Sequence, residues 1–263
     1  MTPSPPVVAC QTTMPKRSGH SDYDALAWFY ERYWSREVPP QILAVIDRLL
    51  VPRLPRGGRI LDLCCGTGYT SAELVRRGFE VTGLDSSKGM LRYARRNAPG
   101  ARFILADARS FRLPPVYDSV IATFDSLNHL MKLAELETVF RNVYSALAPS
   151  GHFLFDVIME KGFLLHWVEH FSIVETEGVC VLRGVYDRGR RIGRYDLTMF
   201  RREDRTRWRR TQTTLSERCY TAKEIRGALK QAGFKEISAY DAVKDLGLAE
   251  HVGRRFFLVR KSG

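Results

Sequence analysis

The chain has 263 residues, enough for one large core with an insertion or for two small cores, and its 44% hydrophobic content excludes general disorder. No apolar run approaches the ~20 residues of a membrane-spanning helix. The formal net charge of +12 is carried mostly by arginine and suits either an acidic partner or a plain solvated surface; no aromatic-basic recognition motif accompanies it.

Residues 1–21 are rich in Pro, Ser and Thr and lack the apolar core of a signal peptide, so they read as a flexible tail. Asp22 to Trp34 then reads as a helix with Leu26, Phe29, Tyr30 and Tyr33 on one stripe, broken by Pro39 and Pro40. A second helix from about Gln41 carries Ile42, Val45, Ile46, Leu49 and Leu50 inward. Gly57-Gly58 lead into an apolar strand, Ile60 to Cys64.

The stretch Asp62-Leu-Cys64-Cys-Gly66-Thr67-Gly68 organises the rest of the chain. Gly66 and Gly68 allow positive φ and close approach of a ligand to the backbone, and a helix starting at about Tyr69 turns its unpaired N–H groups to the same spot. A dinucleotide fingerprint wants a small residue where Ser71 stands, so that match is incomplete. Asp62 is placed to hold the turn or a bound amine. Glu80 to Asp85 reads as a second strand ending in an acid, whose carboxylate can take a ribose diol or cap the helix from about Ser87 to Asn97. A third strand, Ala101 to Leu105, runs into Asp107-Ala108.

Strand four is Tyr117 to Thr123, followed by a helix with Leu136, Val139, Phe140, Val143 and Leu147 inward, a turn at Pro149-Ser-Gly151 and strand five, His152 to Val157. This alternation predicts an α/β, Rossmann-like, mostly parallel seven-stranded sheet with helices on both faces. After residue 160 the period changes. Ile173 to Glu175, Val179 to Tyr186, Ile192 to Phe200 and Arg207 to Leu215 read as antiparallel strands, with Tyr195, Leu197 and Met199 on the dry face and turns at Gly178, Gly189 and Glu203-Asp204. The expected organisation is a main domain of residues 22–160 and 217–263, with 161–216 inserted as a small antiparallel sheet capping the active site. Thr221-Ala-Lys-Glu224 is a capping box, and its helix ends at Gly233. Phe234 to Tyr240 and Arg254 to Arg260 supply the last strands.

The glycine turn with its preceding acid resembles motif I of the class I S-adenosylmethionine-dependent methyltransferases. The Leu-x-Pro-x-Gly order before strand five is also similar to that family. Phe124-Asp-Ser-Leu-Asn-His129 resembles the Ser-x-x-His-Leu segment of small-molecule N-methyltransferases such as the amino-sugar N,N-dimethyltransferases; glycine N-methyltransferase is a more distant relative. Tyr23 and Tyr30 match a Tyr-x6-Tyr pattern in the first helix of those enzymes.

The resemblance implies S-adenosylmethionine as cofactor, S-adenosylhomocysteine as product and no metal. It implies a cofactor site of Tyr23, Tyr30, Asp62, Cys64, Gly66, Thr67, Gly68, Asp85, Ser86, Met90, Asp107, Ala108 and Phe124. Asp107 would meet the adenine amino group. His129 is expected as base or substrate-orienting residue, with Asn128 beside it on the substrate and Tyr23 shaping the methyl site. Trp167, Tyr186 and Trp208 are candidates to line the substrate pocket, with core or strand-face packing the favoured reading of each.

The expected partner is a small molecule, neither nucleic acid nor a membrane. An RNA methyltransferase is the alternative prompted by charge, although Thr123-Phe-Asp-Ser stands where an Asn-Pro-Pro-Tyr type motif belongs. A non-catalytic cofactor-binding relative is a further alternative. Cys10, Cys64, Cys65, Cys180 and Cys219 show no metal spacing, and reduced thiols in the cytoplasm are expected.

Overall fold

The computed structural model describes residues 21–35 and 39–263; residues 1–20 of the expected tail, with Cys10, lie outside them. The described residues form two sheets. The larger contains β1 (Arg59–Leu63), β2 (Glu80–Asp85), β3 (Arg102–Leu105), β4 (Tyr117–Ala122), β5 (Leu147–Ile158), β10 (Glu236–Asp241) and β11 (Arg254–Arg260). Its order is β3-β2-β1-β4-β5-β11-β10. β11 runs antiparallel to both its neighbours, and the other pairings are parallel. The order reverses direction at β1 and β4, which opens a crevice at the carboxyl ends of those strands.

Between the strands lie α3 (Tyr69–Arg76), α4 (Lys88–Asn97) and α5 (Leu133–Ala146). Of the inward residues expected for α5, Leu136, Val139, Phe140 and Val143 are buried on it, whereas Leu147, also buried, opens β5 instead. With α7 (Ala222–Gln231), α5 covers one sheet face, where Phe140, Phe153, Phe155 and Phe257 are fully buried. α2 (Pro39–Leu49) covers the other face with Ile42, Val45 and Ile46. Pro39 and Pro40 thus open α2 rather than only ending the helix before it. That first helix changes pitch: α1 spans Asp22–Phe29, and Tyr30–Trp34 continue as a π-helical turn. The Pro149–Gly151 turn is absorbed into β5 as a break in register against β4, with Ser150 at φ 62.

The smaller sheet, β6 (His170–Glu175), β7 (Gly178–Asp187), β8 (Ile192–Arg202) and β9 (Trp208–Arg218), is antiparallel throughout. Its dry face holds Cys180, Leu182, Leu197 and Met199 against Leu26 and Phe29 of α1. Gly178 is not the turn residue expected. It opens β7, where a Cβ would meet the Trp28 and Phe29 rings at 2.8 and 2.9 Å. A short helix that the period change hid, α6 (Glu160–His166), packs Phe163 and Trp167 against Tyr186 and Tyr195. Among the described residues, no helix is long and apolar enough to cross a membrane.

Phe155 is fully buried, stacked 4.7 Å from Phe153 and 5.1 Å from Phe257 between ring centroids. Phe155→Ala is expected to cost about 3–5 kcal/mol of unfolding free energy, read by urea denaturation. A loss below about 1 kcal/mol would mean that the site collapses around the deletion.

Candidate active site

The carboxyl ends of β1, β2 and β4 open onto a cavity of about 930 Å³. The bend after β1 forms one wall. Cys64, Gly66 and Gly68 all have positive φ, at 60, 55 and 79°. A Cβ on Gly66 would face the cavity with Tyr30 Cε1, 3.9 Å away, as its nearest atom, so backbone here is open to a ligand. A Cβ on Gly68 would strike Ala94 Cα at 2.9 Å, so this glycine lets α4 approach the bend. Thr67 offers its carbonyl to Asn97 Nδ2 at 2.8 Å, which fixes the same bend.

The acids at the ends of β1 and β2 and the one after β3 are among those that reach the cavity. Asp62 accepts from Ser71 Oγ at 2.6 Å, and burial pushes its carboxyl up to about 7 against that hydrogen bond. Ser71, where a dinucleotide fingerprint has a small residue, is therefore the partner of the motif's acid. Asp85 accepts from Gly66 N–H at 2.9 Å and Ser87 N–H at 2.8 Å; burial raises its carboxyl despite these bonds. It does not cap α4. That cap is Ser87, whose Oγ accepts from Met90 N–H at 3.1 Å. Asp107 is paired with Arg109, whose Nε donates at 2.9 Å and which holds the carboxylate below its usual range. Ser86, Met90, Ala108 and Phe124 border the same space.

α1 and the π-helical turn after it close the cavity with Tyr23 and Tyr30, set edge to face with centroids 6.2 Å apart. Asp24 anchors α1 by accepting from Ser87 Oγ at 2.6 Å and Gly89 N–H at 2.8 Å, at the positive end of α4. The Tyr23 hydroxyl then lies 2.7 Å from His129 Nε2. His129 Nδ1 lies 3.1 Å from the Ser216 carbonyl, which only accepts. Nδ1 therefore carries the ring proton, and Nε2 accepts from Tyr23. Burial lowers the His129 pKa, so the imidazole is neutral at neutral pH.

Asn128 departs from the expected substrate role. It is fully buried; its Nδ2 donates to the Ile158 and Arg218 carbonyls at 3.1 and 2.9 Å, and its Oδ1 accepts from Ile158 N–H at 3.0 Å. It is a clamp between strand ends. Trp167 and Tyr186 pack in the small core and Trp208 is exposed.

Asp156, Arg254 and Glu217, not singled out in the sequence, help hold this site and the turn that carries Phe124. Phe124 and Asp125 are consecutive left-handed residues, at φ 60 and 49°. Asp156 accepts both of their N–H groups, at 2.8 and 3.0 Å. Arg254 bridges Asp156 and Asp125, donating to Asp125 Oδ1 at 2.7 Å. Burial alone would raise the Asp125 carboxyl, but Arg254 beside it holds it low. Glu217 of β9 is 3% exposed, with Oε1 3.3 Å from His129 Nε2. Two signals were readable: Asp156 is an acid within the last residues of an apolar strand, and Glu217 shares strand parity with the inward Leu215.

A family model described as a methyltransferase domain matches residues 60–151. Within the larger sheet, those residues carry the glycine bend and run from β1 into β5, so this part of the chain is a methyltransferase domain. It is 41% identical over 108 residues to a putative methyltransferase of Bacillus subtilis, covering 40% of this chain. It is 31% identical over 106 residues, also 40% of this chain, to the dTDP-3-amino-3,4,6-trideoxy-alpha-D-glucopyranose N,N-dimethyltransferase of Streptomyces venezuelae. The matched stretches span 44% and 45% of those relatives. The fold is similar to that of the sugar N-methyltransferase KedS8 from a Streptoalloteichus species, with a TM-score of 0.77 at 21% identity over 99% of this chain and 100% of that one.

Arg254→Leu would leave Asp125 and Asp156 buried without their shared cation. The expected cost is about 3–5 kcal/mol of stability in urea unfolding. A neutral substitution would show that the left-handed turn holds without the bridge.

Proposed function

We propose that the protein transfers the methyl group of S-adenosylmethionine to a small-molecule amine. The observation that carries this reading is the Tyr23–His129 hydrogen bond of 2.7 Å in the wall of the cavity that the glycine bend, Asp62, Asp85 and Asp107 also line. A small molecule suits the site because Thr214, Leu215 and Ser216 of β9 border the cavity too. The name of the Streptomyces venezuelae relative supports an amino group as acceptor.

In this reading Gly66 lets the backbone meet the cofactor, Asp62 meets its ammonium, Asp85 its ribose and Asp107 its adenine. Cys64, Thr67, Gly68, Ser86, Met90, Ala108, Phe124 and Tyr30 shape the space around it. The bound cofactor supplies a methyl group already activated by the sulfonium charge. The protein's work is alignment, worth up to ~7–11 kcal/mol, and removal of one proton. An ammonium substrate must lose a proton before its nitrogen can attack. That proton passes to the Tyr23 oxygen as the Tyr23 hydrogen passes to His129 Nε2. The amine is then neutral and the imidazole cationic. The free thiols Cys64, Cys65, Cys180 and Cys219 suit the cytoplasm, where we place the activity.

Labelled methyl transfer to a panel of amines, alcohols and thiols tests the reaction. An amine is expected to take the label, and labelling confined to hydroxyls or thiols would overturn the acceptor. His129→Ala is expected to lower turnover ~10²-fold or more with cofactor affinity nearly unchanged. Full turnover in that variant would remove His129 from the mechanism.

Asp62 gives a pH signature. Its carboxyl protonates as pH falls through about 7, and a neutral acid holds an ammonium poorly. S-adenosylhomocysteine affinity, measured by calorimetry, is expected to rise as pH climbs through that value and then level off. Asp62→Asn should flatten the dependence. A wild-type affinity constant across that range would separate Asp62 from the ligand.

A further inference from the structure

Glu217 is a buried carboxyl that the proton path above leaves unused. Oε1 lies 3.3 Å from His129 Nε2. Oε2 finds no donor among the described residues. Five elements surround the pair: α1 brings Tyr23 and Asp22, the turn after β4 brings Asp125, β5 brings Asp156, β8 brings Tyr195 and β11 brings Arg254. Burial first, and the Asp125 charge second, push the Glu217 carboxyl well above the usual range. It is therefore an uncharged acid. Its side chain is hydrogen-bonded to Asp125, whose carboxylate is held low by Arg254 and so accepts the hydrogen bond of the Glu217 proton.

His129 Nε2 has two neighbours with different abilities. While the ring is neutral, Nε2 accepts from the Tyr23 hydroxyl. Once it gains a proton it must donate, and Glu217 Oε1 is an acceptor already in place. We propose that Glu217 is a positioning residue for the methyl transfer, receiving through Oε1 the Nε2–H that forms when His129 takes the substrate's proton. The proton balance is simple: one proton leaves the ammonium, one arrives on Nε2, and the Glu217 proton stays toward Asp125. Among Asp125, Asp156 and Arg254 one negative charge is left over, and it faces the new imidazolium. An ionised Glu217 would double that charge in a dry site. As a neutral acid it adds an acceptor without the desolvation cost of a second anion.

This inference rests on the His129 reading above, but its test needs no identified substrate. The pKa of His129 is read from its imidazole nitrogen resonances in the full chain, with S-adenosylhomocysteine present and absent; His129→Asn assigns the signals. Glu217→Leu keeps the bulk and removes the acceptor, so the His129 pKa should fall by about one pH unit. Glu217→Gln keeps a carbonyl toward Nε2 and an N–H toward Asp125, so it should restore the wild-type value. A merely structural role would lower stability without this split. The proposal is overturned if Leu leaves the His129 pKa unchanged, or if Gln lowers it as far as Leu does. Failure of the nucleoside to bind would sink the methyl-transfer reading instead, and the titration without it would still decide the role of Glu217.

Discussion

One carboxylate ties the glycine-bend wall of the cavity together. Asp85 takes the Gly66 N–H on one oxygen and the Ser87 N–H on the other. The bend after β1 and the turn after β2 are thereby fixed to each other. Ser87 passes the constraint on, since its hydroxyl caps α4 and also donates to Asp24. Asp24 fastens α1, and α1 carries Tyr23 to His129 and Leu26 and Phe29 to the smaller sheet. The glycine bend and the Tyr23–His129 pair are thus joined by a short run of charge-assisted hydrogen bonds. Two acids can sit this close because the positive end of α4 offsets part of their repulsion.

A second polar cluster does for the turn after β4 what Asp85 does for the glycine bend. Left-handed backbone at Phe124 and Asp125 costs ~1–3 kcal/mol per residue, and Asp156 offsets it by accepting both N–H groups. Arg254 balances the charge from β11, the reversed strand of the sheet. The strain is local to the turn that presents Ser126–His129, so the cost falls where side-chain direction matters most. Asn128 adds a clamp from this turn to the ends of β5 and β9.

Much of this was legible in the residue order. Strands such as Glu80–Asp85 are short apolar runs bounded by turn residues, and inward faces such as Leu136–Val139–Phe140–Val143 follow helical period, so local physics alone marks them. The glycine bend was legible because positive φ leaves few residue choices. The polar clusters were not. Asp156 and Arg254 lie 98 positions apart, and nothing local to either points to the other. Asn128 was misread because an amide next to a candidate base looks functional until its backbone partners, Ile158 and Arg218, are seen. α6 was missed because its residues fall where one period gives way to another. Glu217 carried a signal, a carboxylate at a dry-face position of a strand, which only matters once the sheet's partner is known.

The central claim is that the crevice at the ends of β1, β2 and β4 holds a nucleoside sulfonium with its reacting end toward Tyr23 and His129. A crystal structure of the full chain with S-adenosylhomocysteine tests it most directly. The expected result is density along the Cys64–Gly68 bend, with the sugar hydroxyls on Asp85 and the sulfur facing the Tyr23–His129 pair. Density lodged elsewhere, or a sulfur turned away from that pair, would contradict it.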